Sequence, residues 1–259
     1  MAKGWARFPY PEAQYGHTAA TLKKAWSRLH RGDQEPHPKD AAVVEAWIAF
    51  HAGDFQRAAE AGLAAGGAGI TVVNKATSIY ANYLEANEKR KLALFEEVAA
   101  RAERQQAVEP KNANAYYWHA YALGRYAQGI SIVKALAQGI GGKVKASLET
   151  TLQLAAKHAD AHIALAAYHA EVIDKVGTMI GGLTYGAKKE TALKLYEAAL
   201  KLVPESAIAR IEYANGLLML EGKKALAKAE KLYVEAAACE PLDAMERLDV
   251  ELAKAELED

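Results

Sequence analysis

The sequence lacks the features that identify several large classes of protein. Cys239 is its only cysteine, so neither an intramolecular disulfide nor a cysteine-cluster metal site can form. Its 32 basic and 32 acidic residues cancel, which removes the positive charge typical of nucleic-acid-binding proteins. No apolar run approaches the roughly 20 residues that cross a bilayer, and M-A-K-G-W-A-R-F-P-Y-P lacks the apolar core of a signal peptide. We therefore expect a cytoplasmic protein with no membrane span and no nucleic-acid partner.

Runs of β-branched residues are also scarce, whereas alanine, leucine, lysine and glutamate dominate the chain. Apolar residues recur at steps of three and four, a pattern typical of helices. Helices are predicted to end near Pro110, Pro204 and Pro241, where an alanine-rich helix start follows each time. A further boundary is expected at K-H-A-D-A-H. Together these boundaries indicate helix pairs of roughly 34 residues with insertions.

Near the C-terminal end, one spacing of small residues, a tyrosine and a proline occurs twice. It is formed by Ala192, Tyr196, Ala199, Leu200 and Pro204, and again by Ala229, Tyr233, Ala236, Ala237 and Pro241. Small alanines let two helix backbones approach closely while the tyrosine fills the groove between them. On these residues the chain resembles the tetratricopeptide-repeat (TPR) superfamily over roughly 40–240. The resemblance implies an all-α fold, a right-handed α-solenoid of about five helix pairs with a capping C-terminal helix.

The repeat boundaries predict where these helix pairs lie. We expect them at about 40–66, 70–108, 112–156, 159–203 and 206–239, with a helix near 18–31 before them and a charged helix near 242–257 after them. This organisation predicts an N-terminal arm and first helix in 1–39, followed by a helical repeat domain in 40–259.

Two insertions, near 128–143 and 174–187, interrupt the third and fourth pairs, and both contain Ile-Gly-Gly. We expect them to be loops, because glycines permit positive φ and break helices. Their apolar residues are candidates for a loop pocket: Ile132, Leu136, Ile140, Met179, Ile180 and Tyr185. Either the two loops pack on each other as a structural lid, or they form an apolar pocket or partner surface.

The first insertion, A-L-A-Q-G-I-G-G-K-V-K-A-S, also has glycines and a lysine arranged like a phosphate-binding loop. Ala137 stands where that motif needs its first glycine, Val144 stands at the hydroxyl position, and no strand precedes them. We therefore expect no nucleotide site. The second insertion opens the stretch from Gly181 to Leu200, which is similar to a segment in the T component of TRAP-transporter systems and in regulators of microtubule dynamics. That resemblance implies a transporter-associated ligand carrier.

The first helices of the pairs are expected to line a concave groove. In repeat register the groove residues are Asn114, Tyr117, Tyr121, Arg125, Asp160, Glu171 and Asn215. Aromatic rings, amides and one arginine suit an extended peptide or a helix, since they combine apolar area with hydrogen bonds. The alternative is that the tyrosines pack against the extra helix or the inserted segments.

His158, His162 and His169 have a spacing that can bring imidazoles together for a metal, but they also fall at packing or capping positions of a first helix. Because no third ligand or H-E-x-x-H motif accompanies them, we expect no metal. Cys239 has no histidine nearby, so we expect no catalytic residue and no cofactor. These observations predict a non-enzymatic module that binds a protein or peptide partner, with homo-oligomers allowed. The alternative function is a small apolar-ligand carrier.

Overall fold

The structure, a computed structural model, describes residues 4–258 apart from the side chains of Ile132 and Val133. This part of the chain contains helices and no strand, which confirms the all-α prediction. The helices are α1 Ala19–Leu29, α2 Ala41–His51, α3 Phe55–Ala65, α4 Ile70–Tyr83, α5 Glu88–Val108, α6 Ala113–Gln128, α7 Ile132–Ala137, α8 Ile140–Leu154, α9 Ala159–Tyr185, α10 Lys189–Leu202, α11 Ala207–Glu221, α12 Leu226–Ala237 and α13 Ala244–Glu258.

The helices pack in five successive pairs. The pairs are α2 with α3, α4 with α5, α6 with α8, α9 with α10 and α11 with α12. Each pair also packs on the next one, and α13 covers the last, so the predicted solenoid with a capping helix is confirmed. None of the helices in residues 4–258 is long and apolar enough to cross a membrane.

Short polar side chains start most of the helices that follow a turn. The Asn112 side chain accepts a hydrogen bond from the amide of Asn114, and the Ser206 side chain accepts one from the amide of Ala209. Each such cap satisfies a backbone donor that the helix leaves unpaired and stabilises the helix by about 1 kcal/mol. The polar residues that follow the predicted helix ends therefore cap the next helix.

The tyrosine of the repeat fills the groove between α10 and α11. Tyr196 is buried and stacks on Tyr213, with ring centroids 5.1 Å apart and planes inclined by 16°. Gly216 lies beneath this ring, and a Cβ placed there would come within 2.5 Å of it. Close contact between the helices thus depends on small residues facing one large ring.

The C-terminal helix α13 does more than cover the last pair. Val250 and Ala253 belong to the core formed by the last two pairs, whereas Ala244 and Leu248 belong to the core built around α1 to α4. Polar contacts reinforce the second attachment, since Arg28 Nη1 lies 2.7 Å from Glu246 Oε1. The helix therefore bridges the two ends of the solenoid.

A buried polar cluster, formed by His30, Asp33, His51, Lys75 and Asp243, lies under this bridge. Lys75 Nζ is 2.6 Å from Asp33 Oδ2, His30 Nδ1 is 2.9 Å from Asp33 Oδ1, and His51 Nδ1 is 2.7 Å from Asp243 Oδ2. The two Nε2 atoms of His30 and His51 face each other at 3.2 Å, so one of them must carry a proton to make the hydrogen bond.

Burial lowers the pKa of His30 to about 4, although the neighbouring Asp33 opposes the shift. Lys75 supplies an ammonium group that pairs with the Asp33 carboxylate inside the same cluster. Burial opposes ionisation of Asp33, but its interactions with His30 and Lys75 outweigh that effect and hold the pKa of this carboxyl well below its usual range.

The N-terminal aromatic residues run over the outside of the first pairs. Trp5 stacks on Tyr80 with ring centroids 4.2 Å apart, and Phe8 packs edge-on against Phe55 at 6.3 Å. Phe8 and Tyr15 share a core with α2, α3 and α4. The division between an arm in 1–39 and a repeat domain in 40–259 stays a prediction.

The two insertions are largely helical, so the expectation that they are loops was wrong. The first forms α7 and the start of α8, and the second continues α9 as far as Tyr185. Both glycine pairs lie inside these helices, and the backbone turns instead at Gly139, with φ 63°, and at Gly177, with φ 80°. A glycine inside a helix costs only about 1 kcal/mol relative to alanine, so a glycine pair does not by itself end a helix.

Candidate functional site

A cavity of about 530 Å³ lies among the first helices of four successive pairs, α4, α6, α9 and α11. Residues of both insertions and of α13 complete its wall. We call it the concave cavity. Its lining follows α9 from Asp160 to Val176, a length of roughly 24 Å at 1.5 Å per residue. The space is therefore elongated rather than round.

One end of the concave cavity is apolar and is built by the insertions. Ile140 is buried in its wall beside Tyr168 and Val172. A Cβ at Gly141 would lie 3.8 Å from the rings of both Tyr168 and Tyr185. The insertions therefore meet at this glycine, and residues of both also line the cavity.

The middle of the concave cavity carries paired polar groups. Arg125 Nη2 lies 2.9 Å from Glu212 Oε1, and its guanidinium stands 5.3 Å from the centre of the Tyr121 ring. The Gln128 amide donates to Glu171 Oε1 at 2.5 Å. Burial raises the pKa of Glu171, and the hydrogen bond from Gln128 opposes that rise.

Two further carboxyl groups line the cavity, those of Asp160 at the start of α9 and of Asp249 on α13 beside Tyr83. Burial raises the pKa of Asp160 to about 7, and the negative charge of Asp33 adds to the rise. Asp249 is 4 % exposed and accepts a hydrogen bond from the Tyr83 hydroxyl. Burial raises the pKa of Asp249 well above its usual range, against the effect of that hydrogen bond.

The structure brings most of the predicted groove residues together. Those lining the concave cavity are Tyr117, Tyr121, Arg125, Asp160 and Glu171. Asn114 and Asn215 do not line it, because each forms hydrogen bonds with neighbouring residues. Asn114 is 2 % exposed and contacts Glu35, the Asp33 carbonyl and His158, while Asn215 accepts a hydrogen bond from the Tyr233 hydroxyl.

Only some of the residues predicted to form a loop pocket line the concave cavity. Leu136, Ile140 and Tyr185 line the concave cavity, and the Ile132 side chain lies outside the described residues. Met179 and Ile180 do not line it and are 75 % and 51 % exposed. The α9 backbone changes direction at Gly177, so Met179 and Ile180 turn away from the cavity, whereas Tyr185 at the end of the helix reaches it.

Sequence reasoning missed several residues of the cavity wall. Tyr83 and Lys75 come from α4, the first helix of the second pair, and repeat register could have placed them there. Met245 and Asp249 come from α13, which lies outside the repeat. No pattern in the sequence signals that this helix folds back across the concave side.

The three histidines that could have bound a metal have other partners. The buried His158 accepts from the amide of Ala161 and lies 2.9 Å from Asn114 Oδ1, and the amide of Lys188 donates to His169 Nδ1. These contacts agree with the interpretation of core or capping histidines. Within residues 4–258 no cluster of three or more histidine, cysteine or acidic side chains could hold a metal ion.

Comparison with known proteins bears on the fold. No family model and no curated protein matches the chain. A solved structure that is similar is the crystal structure of a thermophilic TPR protein from Thermus thermophilus, with a TM-score of 0.58 and 15 % sequence identity. The match covers 83 % of this chain and 97 % of that chain. At this sequence identity the likeness concerns the fold, which is that of a TPR-like helical solenoid.

Proposed function

We propose that this chain is a non-enzymatic binding protein whose concave cavity holds one elongated, mostly apolar guest molecule. The observation that carries the proposal is the cavity itself, about 530 Å³ bounded by four first helices, both insertions and α13. Cavities of this size, mainly apolar with a few polar groups, are typical of small-molecule sites. The guest enters a space that the folded chain already provides.

The geometry favours such a guest over the extended peptide that the groove pattern first suggested. An extended peptide needs an open groove with free hydrogen-bonding side chains. Here Asn114 at one end of the expected groove is paired with Glu35, Asn215 at the other is paired with Tyr233, and α13 lies across the concave side. What remains is a bounded space.

The insertions support the same conclusion. An ordinary TPR turn takes about three residues, whereas here α7 and the continuation of α9 supply an apolar wall that the repeat alone lacks. The second insertion also carries the resemblance to the T component of TRAP-transporter systems, from Gly181 to Leu200. A ligand carrier of that branch is the finer form of this proposal.

Filling the concave cavity tests the proposal without removing a contact. Gly124 on α6 lines the cavity, and no atom lies within 4 Å of a Cβ placed there. Gly124→Leu should therefore keep or raise the melting temperature, since leucine favours helix, and should abolish binding of 1-octanol in calorimetry. Ala146→Leu, on the exposed face of α8, is the matched control.

Native mass spectrometry of the protein purified from its own cell should also show a retained small molecule, which Gly124→Leu should lose. Octanol binding that is equal in Gly124→Leu and in Ala146→Leu would contradict the proposal. So would the absence of octanol binding by the unaltered protein.

A second candidate function is docking of a protein partner on the outer end of α9. Met179 and Ile180 lie four and three positions before Leu183 on the same side of the helix, and Leu183 is 86 % exposed. Apolar side chains this exposed and this close together suit a partner surface. A second copy of the chain would also fit, and sedimentation of the protein over a range of concentrations tests it, because Leu183→Glu should shift any dimer to monomer.

A further inference from the structure

Two of the carboxyl groups that line the concave cavity, those of Asp160 and Asp249, lack an ion pair. Within residues 4–258, the Asp160 carboxyl has no ion pair and receives no side-chain hydrogen bond. In the same residues Asp249 has one hydrogen bond, from the neutral Tyr83 hydroxyl, and no ion pair. The cavity wall therefore contains two acidic groups that no cation of the chain pairs directly.

The cations that line the same cavity are already matched. Lys75 Nζ is 2.6 Å from Asp33 Oδ2, and Arg125 Nη2 is 2.9 Å from Glu212 Oε1. Lys175, at the far end of the lining stretch of α9, is 3.8 Å from Asp174. Neutralising Asp160 and Asp249 thus requires either protons or a cation from outside the chain.

The surroundings of these two carboxyl groups are aromatic. Tyr83, Tyr117 and Tyr121 line the cavity with them, and the rings of Tyr117 and Tyr121 lie 6.2 Å apart. Aromatic faces attract cations, most strongly where water is excluded. The Arg125 guanidinium, 5.3 Å from the Tyr121 ring centre, is one example of such a contact in this cavity.

Acidic and aromatic groups at one end and apolar groups at the other define a guest with two unlike parts. We propose that the concave cavity binds an alkylammonium ion, with its cationic head between Asp160, Asp249 and the three tyrosines and its chain along Ile163 and Val172. This inference rests on the proposed function and names the chemical class of the guest. The raised pKa values of Asp160 and Asp249 agree with it, since burial is the main cause of both shifts and a bound cation would oppose them.

Three probes with the same alkyl chain test the inference: octyltrimethylammonium, octanoate and 1-octanol, each titrated below its aggregation limit in a calorimeter at pH 8. The cation should bind at least about tenfold more tightly than octanoate, a difference of about 1.4 kcal/mol. Octanoate that binds as tightly as the cation would overturn the inference and would point to Arg125 as the recognising group.

Variants of the two aspartates locate the effect. Asp160→Asn and Asp249→Asn should each weaken binding of the cation about tenfold and leave 1-octanol binding unchanged within about twofold. Asp174→Asn, an exposed carboxylate on the same helix α9, is the control and should change neither. Cation binding that survives both substitutions in one chain would also overturn the inference.

The pH dependence gives a test that needs no variant. Octyltrimethylammonium keeps its charge at every pH, so its affinity reports the protein groups alone. Affinity should rise between pH 6 and pH 8 as Asp160, with a pKa of about 7, ionises, while 1-octanol affinity stays flat. Flat affinity for the cation over this range would count against the inference.

The outcomes also separate this inference from the proposed function. If 1-octanol binds and the cation has no advantage, the cavity still binds apolar guests and only the alkylammonium inference fails. If none of the three probes binds, both fail.

Discussion

Two regions of the molecule depart from the repeat, and they do so in opposite ways. Where α13 meets the first pairs, His30, Asp33, His51, Lys75 and Asp243 fill the space with side chains that face one another. Where the insertions join the third and fourth pairs, the extra helices leave an elongated cavity and expose apolar residues. The first region is filled by paired polar side chains, and the second contains a cavity.

The two regions differ in how their carboxyl groups are paired. Asp33 forms an ion pair with Lys75 and a hydrogen bond with His30, whereas Asp160 has no ion pair within residues 4–258, although the charge of Lys75 opposes the rise of its pKa. Asp33 is enclosed by its partners in the core, and Asp160 lines the concave cavity.

Disrupting the buried polar cluster should have the largest effect on the free energy of unfolding. Lys75→Met leaves the buried Asp33 beside a neutral side chain, and removing one partner of a buried pair costs about 3–5 kcal/mol. We expect the free energy of unfolding, measured by guanidinium denaturation, to fall by about that amount. Lys75→Met combined with Asp33→Asn should recover more than half of the loss, and no recovery would contradict this account of the pair.

Two glycines on first helices give a matched comparison of packed and open space. A Cβ at Gly216 would come within 2.5 Å of the Tyr196 ring, whereas one at Gly124 meets nothing within 4 Å. Gly216→Ala should lower the free energy of unfolding by about 1–3 kcal/mol through overpacking. Gly124→Ala should raise it by up to about 1 kcal/mol through helix propensity. Equal effects in thermal denaturation would mean that the cavity is not open at Gly124.

The carboxyl group of Glu35, two residues after Asp33 of the buried polar cluster, should make stability depend on pH. Burial raises the pKa of Glu35 to about 8, with the charge of Asp33 adding to the rise and the Asn114 hydrogen bond opposing it. The folded chain then keeps this proton up to about pH 8, while the unfolded chain releases it near the ordinary value of 4.5. The folded state binds more protons across this window, so its stability falls as pH rises.

Glu35→Gln removes this titration, because an amide keeps the hydrogen bond to Asn114 without ionising. Between pH 5 and pH 8 the variant should therefore lose less stability than the unaltered chain, by on the order of 1 kcal/mol. Urea denaturation at the two pH values measures the difference. Parallel pH profiles for the two proteins would show that Glu35 is ionised in the folded state.

The smallest effect on stability is expected at the exposed end of α9. Met179→Ser with Leu183→Ser should change the free energy of unfolding by less than about 0.5 kcal/mol, because these side chains make little contact with the core. Fluorescence of a hydrophobic dye bound to the protein should fall at the same time. A large loss of stability would mean that this end of α9 packs more tightly than its exposure indicates.

The helix pairs could be predicted because their cause is local. Alanines and a tyrosine at fixed spacing determine how closely neighbouring helices approach, as Tyr196 above Gly216 illustrates. Proline and polar pairs mark helix ends and caps through contacts within a few residues. Such local signals can be recognised in a single sequence.

The candidate site could be predicted only in part because its cause is not local. Repeat register predicted that Tyr117, Tyr121 and Arg125 face one groove, and they line the same cavity, since they lie on a first helix. Asp249 reaches the cavity only because α13 crosses to Tyr83, a contact between residues far apart in the chain. Asn215 was misplaced since nothing in its own helix reveals that Tyr233 captures it.

The bridge made by α13 changes how the whole chain should unfold. An open solenoid behaves as a row of neighbouring units, so it can fray from either end, one repeat at a time. Here the last helix shares a core with the first pairs through Ala244 and Leu248, so neither terminus is a free end. Loss of the first pair and loss of the last helix become one cooperative event, and amide hydrogen exchange in α2 and α13 should report the same opening free energy.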